Sequence, residues 1–145
     1  MTTKVLSLII GIWSLPFFDN DNQINKNGDS DSLTIYYVKN STESIVDIGC
    51  DEFIESFGKR VETRIMTDED SLTKLNELLT QAKFIDEKVN QSISINVRCK
   101  MQYVVNKKVI ATICIGNRGQ IVINDRFTEK SKKLKHFLSG LFPQE

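Results

Sequence analysis

Between residues 93 and 105 apolar and polar side chains alternate without a fault. Ile93, Ile95, Val97, Cys99, Met101, Tyr103 and Val105 fall on one side of an extended chain, and Ser94, Asn96, Arg98, Lys100 and Gln102 on the other. A period of two over that length predicts a long strand with one buried face. Shorter stretches of the same kind occupy 32–38, where Leu33, Ile35 and Tyr37 share a face, and 44–49, with Ile45, Val46 and Ile48. A further one spans 61–66, where Val61, Thr63 and Ile65 alternate with Glu62, Arg64 and Met66.

The period lengthens to that of a helix in three places. Phe53, Ile54 and Phe57 share a face over 51–57, and Gly58 offers the left-handed position that ends a helix. From Asp68 to about Lys83, Leu72, Leu75, Leu79 and Ala82 recur at helical spacing, with Thr67 as N-cap and Asp70 completing an acidic capping box. A last helix is expected from about Thr128 to Leu141, with Leu134, Phe137, Leu138, Leu141 and Phe142 inward, before Pro143 stops it.

Two registers compete for the hairpin after the long strand. A two-residue turn at Asn106 and Lys107 would face Cys99 with Cys114. A three-residue turn from Asn106 to Lys108 instead aligns Val109, Ala111, Ile113 and Ile115 with the apolar side and sets Lys100 opposite Cys114. The second buries more hydrocarbon and is the expected one, which excludes a Cys99–Cys114 disulfide. A turn over Asn117, Arg118 and Gly119, with Gly119 left-handed, then faces Ile115 with Ile121 and Ile113 with Ile123. Ile95, Val97, Met101, Ile113 and Ile123 are expected in the core. The reading is a single α+β domain over 32–143, an antiparallel meander of about four to six strands packed with two or three helices.

Ahead of it, Lys4 and an apolar run at 5–18 have the layout of an export signal. As a helix the run spans about 21 Å, short of the roughly 30 Å hydrocarbon core, so residues 1–18 read as an export signal or membrane anchor rather than an ordinary span. Residues 19–31 carry Ile24 as their one apolar side chain and read as a polar tether. The expected location is extracytoplasmic, with membrane association only through residues 4–18 if they are retained. Placing Gly28 at the sixth position of an EF-hand loop puts Gln23 and Thr34 where acidic ligands are required, so the match fails and a calcium loop is not expected. A short export signal, a polar tether and a compact α+β domain resemble the layout of many small exported bacterial proteins, and that layout names no ligand.

Composition sharpens this picture. Seventeen Ile and ten Val against two Ala favour a sheet. Three cysteines leave at least one unpaired within the chain, and a single His leaves no Cys/His zinc set, so no metal or other cofactor is expected. His136 reads as exposed surface. Carboxylates at Asp47, Asp51, Glu52, Glu55 and Asp68 to Asp70 have capping or solvated-face explanations.

Net charge is zero, but residues 1–90 hold nine basic and sixteen acidic side chains while residues 91–145 hold ten and three. One reading is self-complementation of the two halves. The sharper one is a basic binding surface of Arg98, Lys100, Arg126, Lys130, Lys132, Lys133 and Lys135, facing an acidic protein or a lipid headgroup surface. Nucleic acid is not expected, because the patch has no interleaved exposed aromatics. The function expected is therefore an exported binding module without catalysis, its oligomeric state open. Two alternatives stand beside it: a small enzyme using carboxylates or Cys114, whose thiol Lys100 would activate, and a cytosolic immunity-like inhibitor; Cys114 itself is expected to be a small inert hydrophobe, sharing its face with Ile110 and Val122.

Overall fold

The structure, a computed structural model, describes residues 30–39, 47–86 and 94–143. The apolar run at 5–18, the polar stretch at 19–29 and the first half of the strand expected at 44–49 lie outside the described residues; residues 47–49 are not in a strand.

Six antiparallel strands form one open sheet: β1 (Ser32–Tyr37), β2 (Glu62–Met66), β3 (Val97–Val105), β4 (Lys108–Gly116), β5 (Ile121–Ile123) and β6 (Arg126–Phe127). Their order is β2-β1-β3-β4-β5-β6. The described helices are α1 (Phe53–Phe57), prolonged by a 3-10 turn over Gly58–Arg60, α2 (Glu69–Thr80) and α3 (Lys132–Ser139). This is the α+β single domain that the alternation implies. No helix of the described residues is long and apolar enough to cross a membrane.

The middle of the sheet is buried on both sides, by different means. Leu33, Ile35, Met101, Ile113 and Ile123 meet Leu72, Leu75 and Leu78 of α2 and Leu134 and Leu138 of α3 on one face. On the other, Val97, Cys114 and Val122 pack with Val38, Ile48, Phe127 and the Phe53 and Phe57 rings of α1. The short α1 therefore turns what looks like a solvated face into a second core.

In the body of the β3–β4 hairpin Cys99 faces Ile115, Lys100 faces Cys114 and Met101 faces Ile113, and β4–β5 faces Ile113 with Ile123, all as expected. The turn itself differs. Asn106 and Lys107 form a two-residue turn with φ of 49° and 64°, the left-handed pair that a type I′ hairpin requires. Val104 then faces Val109, and Ile110 is an extra residue before Tyr103 faces Ala111. Turn chemistry sets the register at the tip, apolar burial sets it in the body, and the bulge absorbs the one-residue difference. Val109, expected inside, is consequently 52% exposed.

A second irregularity at Arg98 separates the Val97–Gly116 pair from the Cys99–Ile115 pair, so Val97 and the partly buried Ile95 enter the second core instead of the first. Val97 is buried as expected, but on the opposite face.

Helix ends shift for local reasons. Asp68, not Thr67, caps α2: its backbone is extended and its carboxylate accepts the Ser71 N–H at 2.9 Å, which also holds its pKa below the ordinary value. Residues 83–85, expected to end that helix or follow it, run along β6 instead. There the Ile85 N–H donates to the Phe127 carbonyl and the Glu129 N–H to the Lys83 carbonyl. Thr128 and Glu129 are thereby committed to extended pairing, so α3 begins only at Lys132, capped by the Ser131 hydroxyl.

Candidate functional site

The cations that the sequence groups together are divided by the fold. Arg98 and Lys100 point to the second core. The Arg98 guanidinium lies 5.6 Å from the Phe57 ring centre, and Lys100 Nζ donates to the Cys50 carbonyl at 3.1 Å, so both are occupied within the domain. The Arg126 guanidinium stacks 4.5 Å above Phe84. Lys133 is exposed on α3 and does not line the cleft that its neighbours share. Lys130, Lys132 and Lys135 do come together, around a cleft of ≈ 590 Å³ between the β4–β5 turn and the start of α3.

Arg118, from the β4–β5 turn, supplies a fourth cation to this rim. The sequence places Arg118 in a turn, and only the packing of α3 against that turn shows that it belongs with the lysines. The turn is held tightly: the Gly119 N–H donates to the Gly116 carbonyl and the Gly116 N–H to the Gln120 carbonyl, each at 2.9 Å. Gly119 has φ of +75°, and a Cβ there would sit 2.5 Å from Lys135 Nζ. The left-handed backbone is what calls for glycine there; the flexible tip of Lys135, which lies over the turn, could swing aside from a side chain.

Ile85, Ile121 and Phe127 floor the cleft, and Glu129 is its one acidic lining residue. The ion pairs among the described residues, Lys39–Glu62 and Lys74–Glu77, involve none of the four cleft cations. Four exposed positive charges on one rim repel one another, and an anion placed among them relieves that repulsion.

Cys114 is neither a reactive thiol nor an inert reduced one: it forms a disulfide with Cys50, Cα to Cα 5.9 Å. Their separation of 64 residues gives no hint of the bond; it exists because the segment before α1 folds over the second sheet face. Lys100, which the enzyme alternative has activating Cys114, holds the Cys50 carbonyl instead. Cys99 faces the first core, fully buried and unpaired, in keeping with the exclusion of a Cys99–Cys114 bond. Burial alone pushes its thiol pKa far up. A maleimide is therefore expected to label no cysteine in the folded chain, one on unfolding and three after unfolding with reductant, counted by intact mass. Labelling of the native protein would contradict the placement of Cys99 or the Cys50–Cys114 bond.

The carboxylates do not converge either. Asp47 accepts from Ser94 Oγ at 2.7 Å, Asp68 caps α2, and none of the acidic residues singled out lines the cleft. No group of His, Cys, Asp and Glu among the described residues is placed to hold a metal ion. His136 is exposed on α3. Comparison of the chain with protein-family models, with curated proteins and with solved structures returns no match, so its site is read from its own geometry.

Proposed function

We propose that the chain is an exported binding module, secreted or tethered through residues 1–18, that takes an acidic segment of a partner protein in the cleft rimmed by Arg118, Lys130, Lys132 and Lys135. The observation that carries this reading is four cations, with no ion-pair partner among the described residues, around an apolar floor. A concave, apolar-floored site suits an extended segment with an apolar anchor flanked by carboxylates; a flat headgroup surface reaches only the rim. The Cys50–Cys114 disulfide supports export, since such bonds persist in oxidising compartments.

Fractionation with amino-terminal sequencing tests the compartment; full-length chain found in the cytosol would remove export from the proposal. Binding is tested by fluorescence anisotropy with a labelled peptide of alternating Glu and Leu. Reversing Lys132 and Lys135 to Glu is expected to weaken it at least tenfold while changing stability by about 0.5 kcal/mol or less, because both side chains are exposed. Wild-type binding should also fade between low and high salt, as screening shortens to about 3 Å at 1 M. Capture by anionic vesicles with no affinity for the peptide would assign the site to headgroups. Peptide binding indifferent to both reversals would remove the cleft from the function.

A further inference from the structure

An open sheet has two edges with unpaired backbone N–H and C=O groups, and proteins cover, charge or distort such edges to keep other chains off. Here the two edges are treated differently. The β6 edge is covered by residues 83–85, through the Phe84–Thr128 bridge and the hydrogen bonds of Ile85 and Glu129. The β2 edge has no strand on its outer side among the described residues. It carries neither proline nor lysine, its pairing with β1 has no bulge, and it is exposed from Glu62 to Ile65. Ile65, 65% exposed, is the most exposed large aliphatic residue described.

The chemistry along this edge is complementary to its own reverse. Val61, Glu62, Thr63, Arg64 and Ile65 run apolar, acidic, hydroxyl, basic, apolar. Turned antiparallel about Thr63, the segment sets Glu62 opposite Arg64 of the other copy twice, Val61 opposite Ile65 twice, and Thr63 opposite itself. Opposed residues of an antiparallel pair point to the same face, and the register with β1 satisfies this. Glu62 and Arg64 share a face with Tyr37 and Ile35, while Thr63 and Ile65 share the other with Tyr36 and Thr34.

Neighbouring registers that keep the faces continuous fail. Centring on Glu62 opposes two glutamates and sets Arg60 against Arg64; centring on Arg64 opposes two arginines. Both charged side chains are also held in place: Glu62 accepts the Tyr37 hydroxyl at 2.9 Å, and Arg64 donates to the Leu141 carbonyl at 3.2 Å.

We propose that β2 is the interface with a second copy of this chain, joining two sheets edge to edge in a twofold dimer centred on Thr63. The pairing supplies the missing backbone partners, covers Ile65 with Val61 and matches both charges. It is independent of the cleft, which lies at the far side of the sheet by β5 and the start of α3.

The register is tested directly by cysteine substitution in the full chain. Directly opposed Cα atoms lie about 4.5–5.5 Å apart, within disulfide reach. Thr63→Cys should therefore give a covalent dimer on mild oxidation, and Ile65→Cys, whose counterpart is Val61, should give little. Adding Arg64→Glu to Thr63→Cys sets like charges opposite and should cut the yield about tenfold. Adding Glu62→Arg as well exchanges the two charges and should restore it. Sedimentation equilibrium of the unsubstituted chain, which needs no variant to fold, should show a dimer that Arg64→Glu weakens. A monomer at every concentration would overturn the proposal. So would equal crosslinking from residues 63 and 65, or a yield indifferent to the reversals in chains whose circular dichroism is native.

Discussion

Truncating Met101 or Ile113 to alanine is expected to lower the stability of the domain by about 2–5 kcal/mol each. The two side chains face each other across β3 and β4, and Met101 also faces Ile35 across β1 and β3; all three are fully buried. α2 and α3 close over them, so the space left by truncation cannot collapse without moving a helix. Because the pair shares one cavity wall, the double variant should depart from additivity by about 0.5–3 kcal/mol. Val109→Ala is the internal control: the residue is as apolar as its neighbours, but the bulge leaves it 52% exposed, and its truncation should stay within about 0.5 kcal/mol. Urea unfolding of the variants measures all of these. Equal losses at Val109 and Ile113 would show that the bulge is misplaced.

Removing the disulfide should be as costly. A crosslink spanning 64 residues restricts the unfolded chain by an amount worth roughly 4 kcal/mol in the chain-entropy model, and measured values typically fall near 2–4 kcal/mol. Replacing Cys50 and Cys114 with alanine, or adding reductant to the wild type, should lower the urea midpoint to a similar degree. Cys99→Ala separates the crosslink from loss of a small buried side chain, since Cys99 is buried but bonded to nothing. The loss should be carried chiefly by the second core, where Cys50 ties the segment before α1 to β4. A difference under about 1 kcal/mol between crosslinked and crosslink-free chains would mean that the bond contributes little to the fold.

How much of this was legible beforehand depends on the range of the interaction concerned. The strict alternation around Met101 is a local property, and so is the competition between Ile113 and Thr112 for its face. Counting buried hydrocarbon resolves that competition correctly in the body of the hairpin. The Asn106–Lys107 turn is local too, and asparagine is one of the few residues that accept positive φ. A single register from tip to base cannot hold both this turn and the apolar alignment of the body, so a reading that keeps one register must give up the turn. Equally local are Asn124 and Asp125, whose φ values of 46° and 63° make a second two-residue turn and the unforeseen β6. An Asn-Asp pair beside Ile121 to Ile123 was an available signal.

The candidate site was legible only in part. Lys130, Lys132 and Lys135 are close in sequence, so their grouping follows from chain connectivity alone. Arg118 joins them through the packing of α3 against a turn more than ten residues earlier. Arg98 and Lys100 leave them because α1 covers the sheet face that alternation marked as outward. A period of two says that one face is more polar than the other; it cannot say that a five-residue helix will cover the polar one.

By itself, then, the chain's pattern determined the class of fold, the central meander with its body register, and most of the residues of the first core. Each of these follows from side-chain direction and hydrocarbon burial between near neighbours. Tertiary structure alone decided the bulge at Arg98, the second core, the Cys50–Cys114 bond and the membership of the cleft. These depend on which distant segments come to lie over one another, and that is settled by the sum of many small contacts across the whole domain rather than by the spacing of residues along any one stretch.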